Sequence, residues 1–309
     1  MTLSPSHRAR PAGSAVSPAM SAPATSRAAV LRFAAIAALL TLAFARPLTE
    51  LVRFALGSSL FSHVLLIPFV SLYLIWQQRG VLRLLTPRPS FWAAPPALAG
   101  VALLSVYWIV WRSDGPLPAT DYLAVMTTAY LVLLLGTAWL CFGTAVIGAW
   151  AFPLGFLVFM IPWPTALIDG VEIGLQYASA EAAAVLLSLS GTPYLRDGRV
   201  FELPGITLQV AQECSGIRSS YVLFITGVLA SHLLLRTGWK RWLLALVVVP
   251  LGIVRNGFRI LTISLLCVHV SPEMIDSPIH HRGGPIFFAL SLVPFFLLLL
   301  WLRKSERHP

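Results

Sequence analysis

One thiol, a pair of adjacent histidines and two arginines within an apolar run are the residues of this chain that can do chemistry. Cys214 lies in Gln212-Glu213-Cys214-Ser215-Gly216-Ile217-Arg218, directly before an apolar stretch. A cysteine at a helix N-terminus feels the positive end of the helix dipole and free backbone N–H groups, which favour thiolate. The same N–H groups can hold a developing oxyanion. A small buried residue at a tight turn would give the same spacing, so the position alone leaves both readings open.

Arg255 and Arg259 are four residues apart, on one helix face, in Arg255-Asn256-Gly257-Phe258-Arg259. Arg259 falls about 13 Å from the helix end at Val268, at 1.5 Å per residue. A charge at that depth costs a few kcal/mol and should face a cavity or a partner. It would serve as an anion or oxyanion site, or pair with a carboxylate such as Glu213 or Asp169. His280, in Pro278-Ile279-His280-His281-Arg282-Gly283-Gly284, can take and return a proton near neutral pH. Its neighbour His281 fits the spacing equally well. Together a thiolate, a histidine and an arginine form the arrangement of nucleophilic acyl transfer.

The elements that must position them are membrane helices. The chain is 57% hydrophobic and 11% charged over 309 residues, with mean hydropathy +0.80. Soluble domains carry about 25% charged residues, so the solvent here is largely lipid. The net charge of +10 is scattered in short loops, which excludes a nucleic-acid-binding surface and reads as topology signals. Of the three cysteines, Cys141 and Cys267 sit in apolar runs and read as packing residues. No disulfide framework or metal-ligand spacing is present, and no cofactor is expected.

The predicted fold is an all-α polytopic membrane protein with about eight transmembrane helices, near 28–45, 62–77, 91–111, 122–141, 144–161, 216–235, 242–268 and 285–302. Residues 1–27 read as a disordered cytoplasmic tail, 28–302 as one membrane domain and 303–309 as a basic cytoplasmic tail. Ala43-Phe44-Ala45 has the look of a signal-peptide cleavage site, but the run before it is long and Arg46-Pro47 follows; an uncleaved helix is expected. Lys and Arg concentrate at 8–27, 79–88, 236–241 and 303–307, which places both termini in the cytoplasm and 162–215 outside. Within that segment Asp169, Glu172, Gln176 and Glu181 recur at near-helical spacing, predicting an amphipathic helix on the surface or lining a polar cleft. Arg196-Asp197-Gly198-Arg199, inside the alternating stretch 194–210, predicts a small β-hairpin leading into Cys214.

Several stretches resemble the exosortase/archaeosortase family of membrane-embedded cysteine transpeptidase-like enzymes, over about 60–302. Ser62-His63 resembles its early Ser-His turn, and Phe159-Met160-Ile161-Pro162-Trp163-Pro164 its mid-chain helix end. Glu213-Cys214-Ser215-Gly216-Ile217-Arg218-Ser219 resembles its nucleophile motif, and Asn256-Gly257-Phe258-Arg259 its Asn-x-x-Arg motif. His280, four residues before Gly284 and eight before Phe288, resembles its histidine motif. The resemblance implies Cys214 as nucleophile, Arg259 as essential arginine and His280 as catalytic histidine. It implies a multi-pass enzyme of a bacterial inner membrane with its site on the extracytoplasmic face. Its partners would be exported proteins carrying a Pro-Glu-Pro-like motif, a transmembrane helix and a basic tail, passed to an unidentified acceptor, often alongside exopolysaccharide production.

Three other classes compete. A transporter would line a pathway with Arg255, Arg259 and His280, and predicts inverted repeats, which the sequence lacks. A lipid-modifying transferase would use His280 and the acids of 167–190 without the thiol. A non-catalytic component of an export system would need none of them.

Overall fold

The structure is a computed structural model and describes residues 24–80, 84–85, 87–210, 216–277 and 283–306. Cys214, Glu213, His280, His281 and most of the expected N-terminal tail lie outside the described residues. Eleven helices are used below: α1 (Ala24–Ala43), α2 (Ala45–Gly57), α3 (Ile67–Gln77), α4 (Ala94–Asp114), α5 (Ala119–Ala149), α6 (Ala151–Phe156), α7 (Thr165–Ser190), α8 (Ile217–Leu234), α9 (Gly238–Leu246), α10 (Val248–His269) and α11 (Gly284–Lys304).

The chain is a mostly helical, multi-pass membrane protein, but not with eight full spans. Among the described residues six helices are long and apolar enough to cross a membrane, or seven if the pair α1–α2, bent by 72°, is one span. Two expected spans fall short: the apolar helices over Ser62–Gln77 and Ala151–Met160. The first begins as a tight 3₁₀ turn, Ser62–Leu65; the second is cut off by Pro162 and Pro164. The expected boundary between spans at 142–143 is instead a break inside α5. Gly143 there has φ 77, and a Cβ would lie against the Arg88 carbonyl, so only glycine fits.

The predicted amphipathic helix is α7, which at 26 residues is itself long and apolar enough to cross. Asp121, at the start of α5, accepts bonds from Thr165 N (2.6 Å) and Thr165 Oγ1 (3.0 Å) and so caps α7 from another helix. Gly191, in the left-handed region at φ 72, ends it. The predicted hairpin is a three-stranded antiparallel meander: β1 (Leu195–Asp197), β2 (Val200–Leu203) and β3 (Ile206–Gln209). Gly198 turns β1 into β2, and Pro204-Gly205 adds a second turn that makes the extra strand. Strand alternation turns Phe201, Leu203 and Leu208 inward onto Ala180, Ala183 and Leu187 of α7 and Ile260 of α10. Arg196 Nη2 donates to Glu181 at 2.7 Å and ties the sheet rim to α7; this pair raises the arginine above its usual range.

Lipid gives little hydrophobic drive for helix association, so close packing of small residues must hold α10 in place. A Cβ on Gly257 would lie 2.7 Å from Ala182 Cβ of α7, and one on Gly252 would lie 2.4 Å from Ser220 Oγ of α8. α10 is thus pressed between α7 on one side and α8 on the other. On the same bundle, Phe295 and Leu299 of α11 pack with Leu223 of α8 and Val248 of α10. These three neighbours of α10 are the elements that carry, or directly follow, the sequence-predicted chemistry. Cys141 and Cys267 are buried packing thiols, as the sequence reading expected.

Candidate active site

Gly216 is where the segment holding Cys214 meets the membrane helices. Its backbone is left-handed, φ 67 and ψ 10, and it forms the N-cap of α8. Its carbonyl accepts from Ser220 N at 3.1 Å, Ser219 Oγ at 3.1 Å and Arg255 Nη2 at 3.3 Å. A Cβ at this position would lie 2.8 Å from Arg255 Nη2 and 3.7 Å from Asn256 Cγ. The glycine is therefore required twice, by its conformation and by the approach of α10. The end of the Cys-Ser-Gly motif sits directly on the start of the Asn-x-x-Arg motif.

The two arginines of α10 have different surroundings. Arg255 is 8% exposed and Asn256 2%. Arg255 Nη2 reaches Gly216 O and Ser220 Oγ, a carbonyl and a hydroxyl, both at 3.3 Å. Arg259, one turn further along, lines an open cavity of about 760 Å³. The first turn of α8 (Ile217, Arg218, Ser219), Glu172 of α7, Ser59, and Gly284, Pro285 and Phe288 of α11 complete its wall. Gly284 and Phe288 are the two residues that follow His280 in the family-like histidine motif. The positive end of α8 and the guanidinium of Arg259 thus face one space.

A second cavity, of about 480 Å³, continues from it. Asp169, Glu172 and Gln176 from one face of α7, with Arg199, Gln209 and Val210, form its lining. Glu172 belongs to both cavities. Arg199 donates to Gln176 Oε1, and its guanidinium lies 5.3 Å from the Tyr177 ring. The described chain stops at Val210 in this second cavity and resumes at Gly216 in the first. The polar spacing on α7 signalled a cleft, but Glu172 was not singled out because one helix face does not say what it faces.

The other family-like motifs gather beneath the cavity. His63 meets the Tyr221 ring edge-on at 4.8 Å between centroids, and Trp163 packs on Tyr221 at 4.5 Å. His63 Nδ1 lies 3.1 Å from Leu60 O, which fixes the ring in its 3₁₀ turn. Tyr221 is one turn below the mouth of α8. The Ser-His turn and the Pro-Trp-Pro segment therefore brace the helix whose first turn lines the site.

Neither a search among curated proteins nor one among solved structures finds a match. A family model does match, that of the transmembrane exosortases, over residues 55–297. That span includes the Ser-His turn, the Pro-Trp-Pro segment, Cys214, Arg259, His280 and all of the cavity wall just described. The chain belongs to the transmembrane exosortase family.

Proposed function

We propose that this exosortase is a membrane cysteine peptidase and transpeptidase that acts on the C-terminal sorting signal of exported proteins, with Cys214, Arg259 and His280 as its catalytic residues. One observation supports this most: a single cavity is lined by Gly216, Arg259 and Gly284. Each belongs to a different motif of the sequence. Covalent connectivity keeps Cys214 within about 7 Å of Gly216 along the chain, and His280 within about 14 Å of Gly284, at roughly 3.5 Å per residue. The two segments outside the described residues thus both begin or end at the cavity that Arg259 lines.

The substrate's tail helix would lie in the bilayer beside α8, α10 and α11, with its scissile peptide in the cavity. The thiolate of Cys214 attacks the carbonyl carbon, and the charge that develops on oxygen is held by Arg259 and the N-terminal amides of α8. His280 then donates a proton to the leaving nitrogen as the C–N bond breaks. The products are a thioester on Cys214 and a free tail with a new amine. An acceptor amine, or water, gives its proton to His280, attacks the thioester and releases the thiolate. Arg255, buried against Gly216 and Ser220, holds the mouth of α8 rather than the oxyanion. The concentration of Lys and Arg at the opposite end of the bundle supports an extracytoplasmic site in a bacterial inner membrane.

The test is processing of a matched sorting-signal protein in cells. Cys214→Ala and Cys214→Ser should both leave the substrate uncut. Normal processing in both would remove the nucleophile, and with it the mechanism.

A further inference from the structure

At the other end of α8, about 22 Å from Gly216 at 1.5 Å per residue, lies a third cavity that the chemistry does not use. Its volume is about 400 Å³. One wall is apolar: Phe152, Gly155, Phe156 and Phe159 from α6 and the turn after it, with Val228 of α8. The other end is basic and aromatic, with His232, Arg241 and Trp242. The His232 ring lies flat on Phe152, 3.5 Å between centroids and 2° between planes. Arg241 Nε donates to Leu235 O at 2.8 Å, which orients the guanidinium at the cavity edge.

The charges around this end are unbalanced. Lys240 is committed to Ser305 Oγ at 2.8 Å. Glu306 accepts from Arg236 N and Thr237 N, at 2.9 and 2.8 Å. Among the described residues, Arg241 and His232 are the titratable groups on the cavity wall itself, and no acid lines it. Trp239 and Trp242 are exposed on the same short helix, the position of interfacial tryptophans that mark headgroup level.

We infer that this cavity binds an anionic phospholipid, with the phosphate on Arg241 and one acyl chain along Phe152, Gly155 and Phe159. An apolar slot ending in an arginine at headgroup depth matches such a lipid in both shape and sign. It does not suit the basic-tailed helix of a sorting signal, which would meet Arg241 with like charge. The site ties α6 to α8 and α9 at the end of α8 away from the catalytic cavity, and so would act on how the bundle is held rather than on the reaction.

The experiment is native mass spectrometry of the full chain in detergent, titrated separately with phosphatidylglycerol and phosphatidylcholine. The wild type should retain one phosphatidylglycerol at least about fivefold more tightly than phosphatidylcholine, the preference expected of one arginine at a headgroup. Arg241→Gln should abolish the preference while leaving weak binding of both lipids. Gly155→Phe should weaken both, because a side chain there enters open space in the slot and meets no backbone. Equal retention of the two lipids by the wild type, an unchanged preference in Arg241→Gln, or unchanged binding in Gly155→Phe would each overturn the assignment. So would tighter occupation by a synthetic apolar helix with a basic tail than by phosphatidylglycerol.

Discussion

Replacing Gly216 by alanine probes the joint between the cysteine segment and α10. The left-handed backbone at φ 67 costs an alanine about 1–2 kcal/mol. The new Cβ would lie 2.8 Å from Arg255 Nη2, so the guanidinium must move away from Gly216 O and Ser220 Oγ. Both bonds are long at 3.3 Å, and losing them adds about 1 kcal/mol. The sum is about 2–3 kcal/mol. If about 2 kcal/mol of it falls on the seating of Gly216 against α10, about 30-fold less of the protein has that contact in place. The assay is a pair of measurements: chemical unfolding of the purified protein in detergent, and substrate processing in cells at matched expression. Gly216→Ala should lower both, with processing down at least tenfold. The double variant Gly216→Ala with Arg255→Ala removes the clash, so its cost should be less than the sum of the two single changes by about 1 kcal/mol. Wild-type stability and processing in Gly216→Ala, or strict additivity in the double variant, would refute the claim that this glycine seats the start of α8 on Arg255.

Arg259→Lys keeps the charge but loses the planar fork, and should cut processing by about 10²–10³ without lowering the unfolding midpoint; normal processing would move the oxyanion role to Arg255. Gly257→Ala drives a methyl to 2.7 Å from Ala182 Cβ and 3.1 Å from the Ala182 backbone, which cannot yield as a side-chain tip can. Unfolding measurements should show a loss of about 1–3 kcal/mol, and none if α7 and α10 are not packed as described. Glu306, hydrogen-bonded by the Arg236 and Thr237 backbone, is held well below the usual carboxylate range, down to about 2. A depressed folded value means its stabilisation is full above the unfolded carboxyl value, about 4.3, and is lost as pH falls toward 2. Thermal unfolding of wild type and Glu306→Gln should therefore differ at pH 6 and converge on acidification; a constant gap would exclude the carboxylate as its source.

Spacing made the motifs legible because they are local. Cys214 before an apolar run, Arg259 within one and a histidine before another are patterns of a few residues each. What sets the frame around them is not local. Gly216 meets Arg255 only because Gly252 and Gly257 let α10 press against α8 and α7, and nothing in the spacing of two glycines names their partners. The same gap hid the role of Arg255: a left-handed turn at Gly216 aims a carbonyl at it, and a carbonyl leaves no mark in a sequence. Hydropathy overcounted the spans because an apolar run of 62–77 reads the same whether it crosses or stops short after a 3₁₀ turn. It undervalued α7 because Asp169, Glu172 and Gln176 mark a polar face even on a helix long and apolar enough to cross. The third strand was missed because only Asp197-Gly198 was read as a turn in the alternating stretch 194–210, and Pro204-Gly205 divides that stretch a second time.

The central claim is that Cys214 forms a covalent acyl intermediate beside Arg259 and Gly216. Its most direct test is to trap the purified protein with a sorting-signal substrate at mildly acidic pH, and to look by intact-mass spectrometry for a substrate-sized adduct. The account predicts an adduct on Cys214 that hydroxylamine removes and that is absent from Cys214→Ala. A substrate cut at the normal rate by Cys214→Ala, or an adduct that persists there, would contradict it.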